Sequence, residues 1–143
     1  VKIEAGTKRR DRKVRITNKQ VMESVGALAE LQQTDIPAAL SFRLAKIIMT
    51  IDPMIKAINA ARVKLLDKYA KKGDDGRPIT RENEEGGTMI EIEDTGSFEQ
   101  ELNEMMLVEN DIDFEHICIT DMVGLSVKPS VFISLNWLFC EGQ

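Results

Sequence analysis

Pro37 to Lys72, PAALSFRLAKIIMTIDPMIKAINAARVKLLDKYAKK, is the stretch on which the fold turns. Two interleaved seven-residue series run through it: Leu40, Ile47, Met54, Ala61 and Leu44, Ile51, Ile58, Leu65. Positions three, four and seven apart share one side of an α-helix, so the series predicts a helix with one continuous apolar stripe. Pro53 falls inside it. A proline lacks the N–H that would bond one turn back, and its ring crowds that carbonyl, so a kink or break near Ile51 is expected, with two collinear pieces over residues 37 to 72. Packing within the chain is the expected use of the stripe. The alternative is a homo-oligomeric coiled coil, which normally needs a longer uninterrupted repeat. Lys64, Lys68, Lys71 and Lys72 crowd the carboxyl end, where cations oppose the helix dipole, and read as a solvated helix end.

Toward the N-terminus, Thr17-Asn18-Lys19-Gln20 has capping-box form after a short extended start at Val14 to Ile16. A helix then follows through Val21, Val25, Leu28 and Leu31 to about Gln33. Thr34-Asp35-Ile36-Pro37 makes a tight connection, which favours antiparallel neighbours. Toward the C-terminus, Gly73-Asp74-Asp75-Gly76-Arg77-Pro78 is a turn, and polar sequence continues to Gly87. Ile90 and Ile92 alternate with Glu91 and Glu93 as in a strand with one wet face. Ser97-Phe98-Glu99-Gln100 offers a second capping box, with Phe98, Leu102, Met105 and Met106 on one face of a helix running to about Asn110. Ile112 to Thr120 reads as a strand. Pro129 starts a helix through Cys140 with Val131, Leu135, Leu138 and Phe139 inward and Trp137 over the core edge. The expectation is an α+β fold: about four or five antiparallel helices packed with a small two- or three-stranded antiparallel sheet, in one domain over residues 14 to 143.

Composition bounds the function. With 43% hydrophobic and 30% charged residues the chain has material for a core. No apolar run approaches the roughly 20 residues a membrane span needs, and no apolar stretch of a signal peptide follows the basic run Lys8 to Lys13. Cys118 and Cys140 lack metal or redox spacing and are expected to be reduced, packed thiols in a cytoplasmic protein. The net charge of −5 hides an asymmetry: residues 1 to 16 hold seven bases against two acids, whereas residues 82 to 121 hold fourteen acids and no lysine or arginine. Residues 1 to 13 are expected to be a disordered basic head. Lys8 to Val14 is compatible with the codons AAG AGG AGG GAC AGA AAA GTG, which would be a purine-rich ribosome-binding site before a GTG start, so translation is expected to begin at Val14. Were those residues genuine protein, nucleic-acid binding would return as a reading.

Catalytic motifs fail on their neighbours. Asp94-Thr95-Gly96-Ser97 matches the aspartic-protease tetrapeptide, and Met122-Val123-Gly124 loosely echoes a later element of that family. Yet Glu93 precedes the aspartate where an apolar residue belongs, and the motif opens a helix within a largely helical chain. A helix cap is the expected role. Asp111, Asp113 and Glu115 alternate like calcium ligands, but His116 stands where the loop needs glycine and Met122 where it needs glutamate. A weak surface site for a divalent cation is the remaining metal alternative. His116, the only histidine, has no ligand cluster to complete zinc coordination, and its proximity to Cys118 is the sole hint of nucleophilic chemistry. No cofactor, metal site or catalytic residue is expected.

The order of elements, including Phe98-Glu99-Gln100-Glu101-Leu102-Asn103-Glu104, the acidic strand Asp111 to Ile119 and Leu135-Asn136-Trp137-Leu138, resembles small uncharacterised proteins of phages and prophages of Gram-positive bacteria. That resemblance implies a setting in the bacterial cytoplasm or the virion. The expected function is a non-enzymatic accessory protein that binds another protein through an acidic face containing Glu91, Glu93, Asp94, Asp111, Asp113 and Glu115. Two alternatives accompany it: a virion or tail component that self-associates, and an acidic mimic of nucleic acid.

Overall fold

The computed structural model describes residues 11–115 and 117–140, with the side chains of Asp11, Arg12 and Cys140 left aside. The chain is α+β. Its contacts gather into two compact units: a larger one from residues up to Ile55 together with those from Glu109 onward, and a smaller one from Lys56 to Val108.

In the larger unit, β1 (Asp11–Thr17) pairs antiparallel with β4 (Glu109–Glu115) in the register Arg15 to Asp111 and Val14 to Ile112. Alternation sends Ile16, Ile112 and Phe114 into the core and Lys13, Arg15, Asp111 and Asp113 outward. β1 takes in Asp11 to Lys13, the last residues of the expected basic head; residues 1–10 lie outside the described residues. Helix α1 (Asn18–Gln33) opens with the expected capping box. The Gln20 N–H donates to Thr17 Oγ1 at 3.1 Å, and the Thr17 N–H donates to Gln20 Oε1 at 2.8 Å. Val21, Leu28 and Leu31 are buried, whereas Val25 is exposed.

Helix α2 (Ala38–Tyr69) runs as one element through Pro53, where a kink or a break into two pieces was expected. Pro53 is exposed, and so is Met49, whose carbonyl loses its helical donor to the proline ring. Water can satisfy that carbonyl, which makes the proline tolerable there. Leu40, Leu44, Ile47 and Ile51 are buried in the larger unit, so this half of the stripe is consumed by the chain's own core.

The C-terminal elements correct three expectations. The strand expected over Ile112 to Thr120 is divided among β4, β5 (Ile117–Cys118) and a 3-10 turn (Ile119–Met122). Asp121 Oδ2 accepts the Cys118 N–H at 3.0 Å, a side-chain bond that competes with continuation of the ladder. The final helix α4 (Pro129–Ser134) stops well before Cys140, and the chain turns into β6 (Phe139–Cys140). Leaving the helix lets Trp137, Leu138 and Phe139 all be buried in succession, which a one-faced helix does not permit. β5 and β6 pair in parallel, and each sheet among the described residues has two strands. α1 packs on α4. There the Trp137 indole N–H donates to buried Ser24 Oγ at 2.8 Å, while that hydroxyl donates to the Gln20 carbonyl at 2.6 Å. Cys118 is disulfide-bonded, contrary to the expected free thiol, and its backbone stands opposite Cys140. His116 lies outside the described residues.

The smaller unit holds the second half of α2, a hairpin of β2 (Thr80–Glu82) and β3 (Thr88–Ile90), and α3 (Thr95–Met106). The segment after α2 is tied into extended backbone: the Lys71 N–H donates to the Glu91 carbonyl at 2.8 Å, and the Ile79 N–H to the Lys71 carbonyl at 2.7 Å. Asn83 Oδ1 closes the hairpin by accepting the N–H groups of Glu85 and Gly87.

Candidate functional site

The six acidic residues read as an interaction face divide evenly between the units. Glu91, Glu93 and Asp94 belong to the smaller, and Asp111, Asp113 and Glu115 to the larger. Asp94 serves as the N-cap of α3. Its Oδ1 accepts the Ser97 N–H at 3.1 Å, and its Oδ2 the Ser97 hydroxyl at 2.8 Å. These bonds, the backbone one foremost, hold its carboxyl below the usual range. The helix therefore begins at Thr95, two residues ahead of Ser97.

On the β1–β4 ribbon the acids meet bases. Arg15 Nε lies 3.0 Å from Asp111 Oδ1 and 3.4 Å from Glu109 Oε2. The Asp111 hydrogen bond, more than its bare charge, raises the arginine pKa further. Lys46 Nζ reaches Glu115 at 3.8 Å, and Arg43 reaches Asp121 at 3.3 Å. The stretch from residue 82 to 121, empty of bases in sequence, thus receives them from β1 and α2. Glu109, Asp111, Glu115 and Asp121 therefore do not form an unopposed negative field.

A second site, missed in the sequence, lies in the smaller unit. Capping by Asp94 fixes the phase of α3 so that Phe98, Glu101, Leu102 and Met105 share a face. Phe98 meets Tyr69 edge-on with ring centroids 6.2 Å apart. Lys68 Nζ donates to both Glu101 oxygens at 3.0 Å and sits 5.1 Å from the Tyr69 ring centroid. The Tyr69 hydroxyl also donates to Glu101, which holds that carboxyl low together with Lys68. The same bonds raise the Tyr69 and Lys68 pKa values.

Beside this cluster an open groove of about 460 Å³ is lined by Ala61, Lys64, Leu65, Asp67, Lys68 and Glu101. A second, of about 250 Å³, is lined by Val63, Leu66, Asp67, Ala70, Pro78 and Ile90. Asp67 borders both, so the Val63–Asp67 ridge of α2 stands between two grooves. Val63 is 66% exposed and Leu107, at the end of α3, 64%. Of the apolar side chains between Lys56 and Val108, only Ile58 and Ala70 are buried. The sequence carried one weak signal of this: Val63, like Phe42, Ile48, Met49, Ile55 and Leu66, lies outside both seven-residue series. The Lys68–Glu101 pair spans 33 positions and leaves no local trace.

Among the described residues no group of three or more histidine, cysteine, aspartate or glutamate side chains is arranged to hold a metal ion. No described helix is long and apolar enough to cross a membrane. No family model, curated protein or solved structure matches the chain.

Proposed function

We propose that the chain is a non-enzymatic accessory protein of phage type that works by binding protein, and that its docking surface is the exposed apolar ridge and grooves of the smaller unit. One observation carries this reading: Val63 stands exposed between two open grooves lined also by the half-buried Leu65, Leu66 and Ile90, in a unit that buries only two apolar side chains. Apolar groups left in water at a grooved surface favour a covering partner, at about 25 cal/mol per Å² removed from water. The rim supplies both charges, Lys64 and Lys68 with Asp67 and Glu101, which suits orientation of a partner more than capture of a uniformly charged polymer. Nucleic-acid mimicry is less favoured, because Arg15, Arg43, Lys46 and Lys68 each face an acid of the segment meant to imitate phosphate.

The test is affinity capture with the wild-type chain and with Leu66→Glu and Val63→Glu, each checked for unchanged helix content. A bound protein lost from both variants supports this surface. Equal retention by the variants, or turnover of a small substrate by the wild type, removes the reading.

A further inference from the structure

Resting on that reading of the smaller unit as a docking surface, we infer that its occupant is a second copy of this chain, joined by a two-fold antiparallel contact of α2 centred between Leu65 and Leu66. A ridge flanked by grooves is the shape that packs against itself, since side chains of one helix enter the grooves of another at about 8–10 Å between axes. Val63 supplies the projecting apolar side chain, and Leu66, Ala70, Pro78 and Ile90 supply a groove beside it. A two-fold contact uses one patch on both copies, so every pairing occurs twice.

The charges of the ridge fit that symmetry. With the axis between Leu65 and Leu66, antiparallel numbering sets Lys64 opposite Asp67 of the second copy and Asp67 opposite its Lys64. Val63 falls opposite Lys68, whose methylene stem can cover it while the ammonium keeps its bonds to Glu101. These positions recur at three- and four-residue steps and form one stripe on α2, and all are exposed. Asp67 already sits 3.4 Å from Lys72 of its own chain, a pair at the surface that can exchange or share partners. A parallel arrangement would instead set Lys64 against Lys64 and Asp67 against Asp67. This face differs from the buried stripe of Leu40, Leu44, Ile47 and Ile51, which the larger unit's core occupies.

The experiment is sedimentation velocity of the full chain over a concentration series, joined to photocrosslinking from a benzophenone amino acid at position 63. The wild type is expected to move toward twice the chain mass as concentration rises, and the purified protein alone to give a dimer adduct. Asp67→Lys is expected to weaken association about ten-fold by setting like charges opposite one another twice. Lys64→Asp with Asp67→Lys restores it to within about three-fold, because the pair is merely exchanged. Both are exposed substitutions that test the contact even where Val63→Glu disturbs folding. A monomer at every concentration, or a dimer that the exchanged pair fails to restore, overturns the inference. A position-63 adduct formed only with a different protein overturns it while leaving the docking surface intact; no adduct with any protein removes both.

Discussion

Ser24 stands among Val21, Leu28 and Leu31 on the inward face of α1, fully buried, and takes the Trp137 indole N–H. Ser24→Ala leaves that N–H without its acceptor in the core, and we expect a loss of about 1–3 kcal/mol in urea unfolding. Trp137→Phe removes the donor together with part of a large ring; in the double variant the penalties should sum to more than the measured loss. The sequence reading set Val25 on this face, whereas Ser24 takes the buried place and Val25 is exposed, and a partner 113 positions away leaves no local trace. Asp94 was read as a cap, and its role is that of a cap: Asp94→Asn should hold the thermal midpoint closely and Asp94→Ala should lower it. The Lys68–Tyr69–Glu101 cluster carries a pH dependence of defined sign. Glu101 is held low, so its contribution to folding is present above the ordinary carboxylate range and fades as pH falls through its folded pKa. Lys68 and Tyr69 are raised, so theirs is present below their ordinary values and fades as pH rises through the folded ones. Glu101→Gln should flatten the acid limb of a stability-against-pH curve. Cys118 should resist iodoacetamide in denaturant and react once reductant is added.

At the level of elements, periodicity told most where one face of a helix meets one core. The Leu40–Ile51 half of α2 and the capped start of α1 follow their patterns closely, because helical spacing and burial ask for the same residues. Reading failed where backbone groups took local alternatives. Asp121 captured the Cys118 N–H and ended a strand, and three consecutive buried residues pulled the chain out of α4. Pro53 misled for a different reason, since the penalty of an interior proline shrinks when the orphaned carbonyl faces water. Pro53→Ala should therefore stabilise the protein by about 1–2 kcal/mol, less than the roughly 3 kcal/mol propensity difference, because the freer unfolded chain offsets part of the gain. Denaturant midpoints at unchanged slope would measure it.

Across the whole molecule, the two units differ in how much they hide. The larger gathers nearly all the fully buried apolar side chains, and the smaller keeps two. Amide exchange in the isolated chain should consequently be faster between residues 70 and 108 than in β1, α1 and β4, and dimerisation should slow it. The candidate site was hidden from the sequence because it depends on contacts across tens of positions and on which apolar residues the fold leaves uncovered. The register of β1 with β4 has a consequence for synthesis. Arg15 lies 96 positions ahead of Asp111, so β1 leaves the ribosomal tunnel long before its partner strand exists. At about 5–20 residues per second that is several seconds or more of exposed strand edge. Residues 56 to 108, contiguous in the chain, can meanwhile reach their own arrangement first. A nascent chain stalled near residue 110 behind a linker that fills the tunnel should then be cut by protease within β1, and that cut should be lost once stalling is moved past β4.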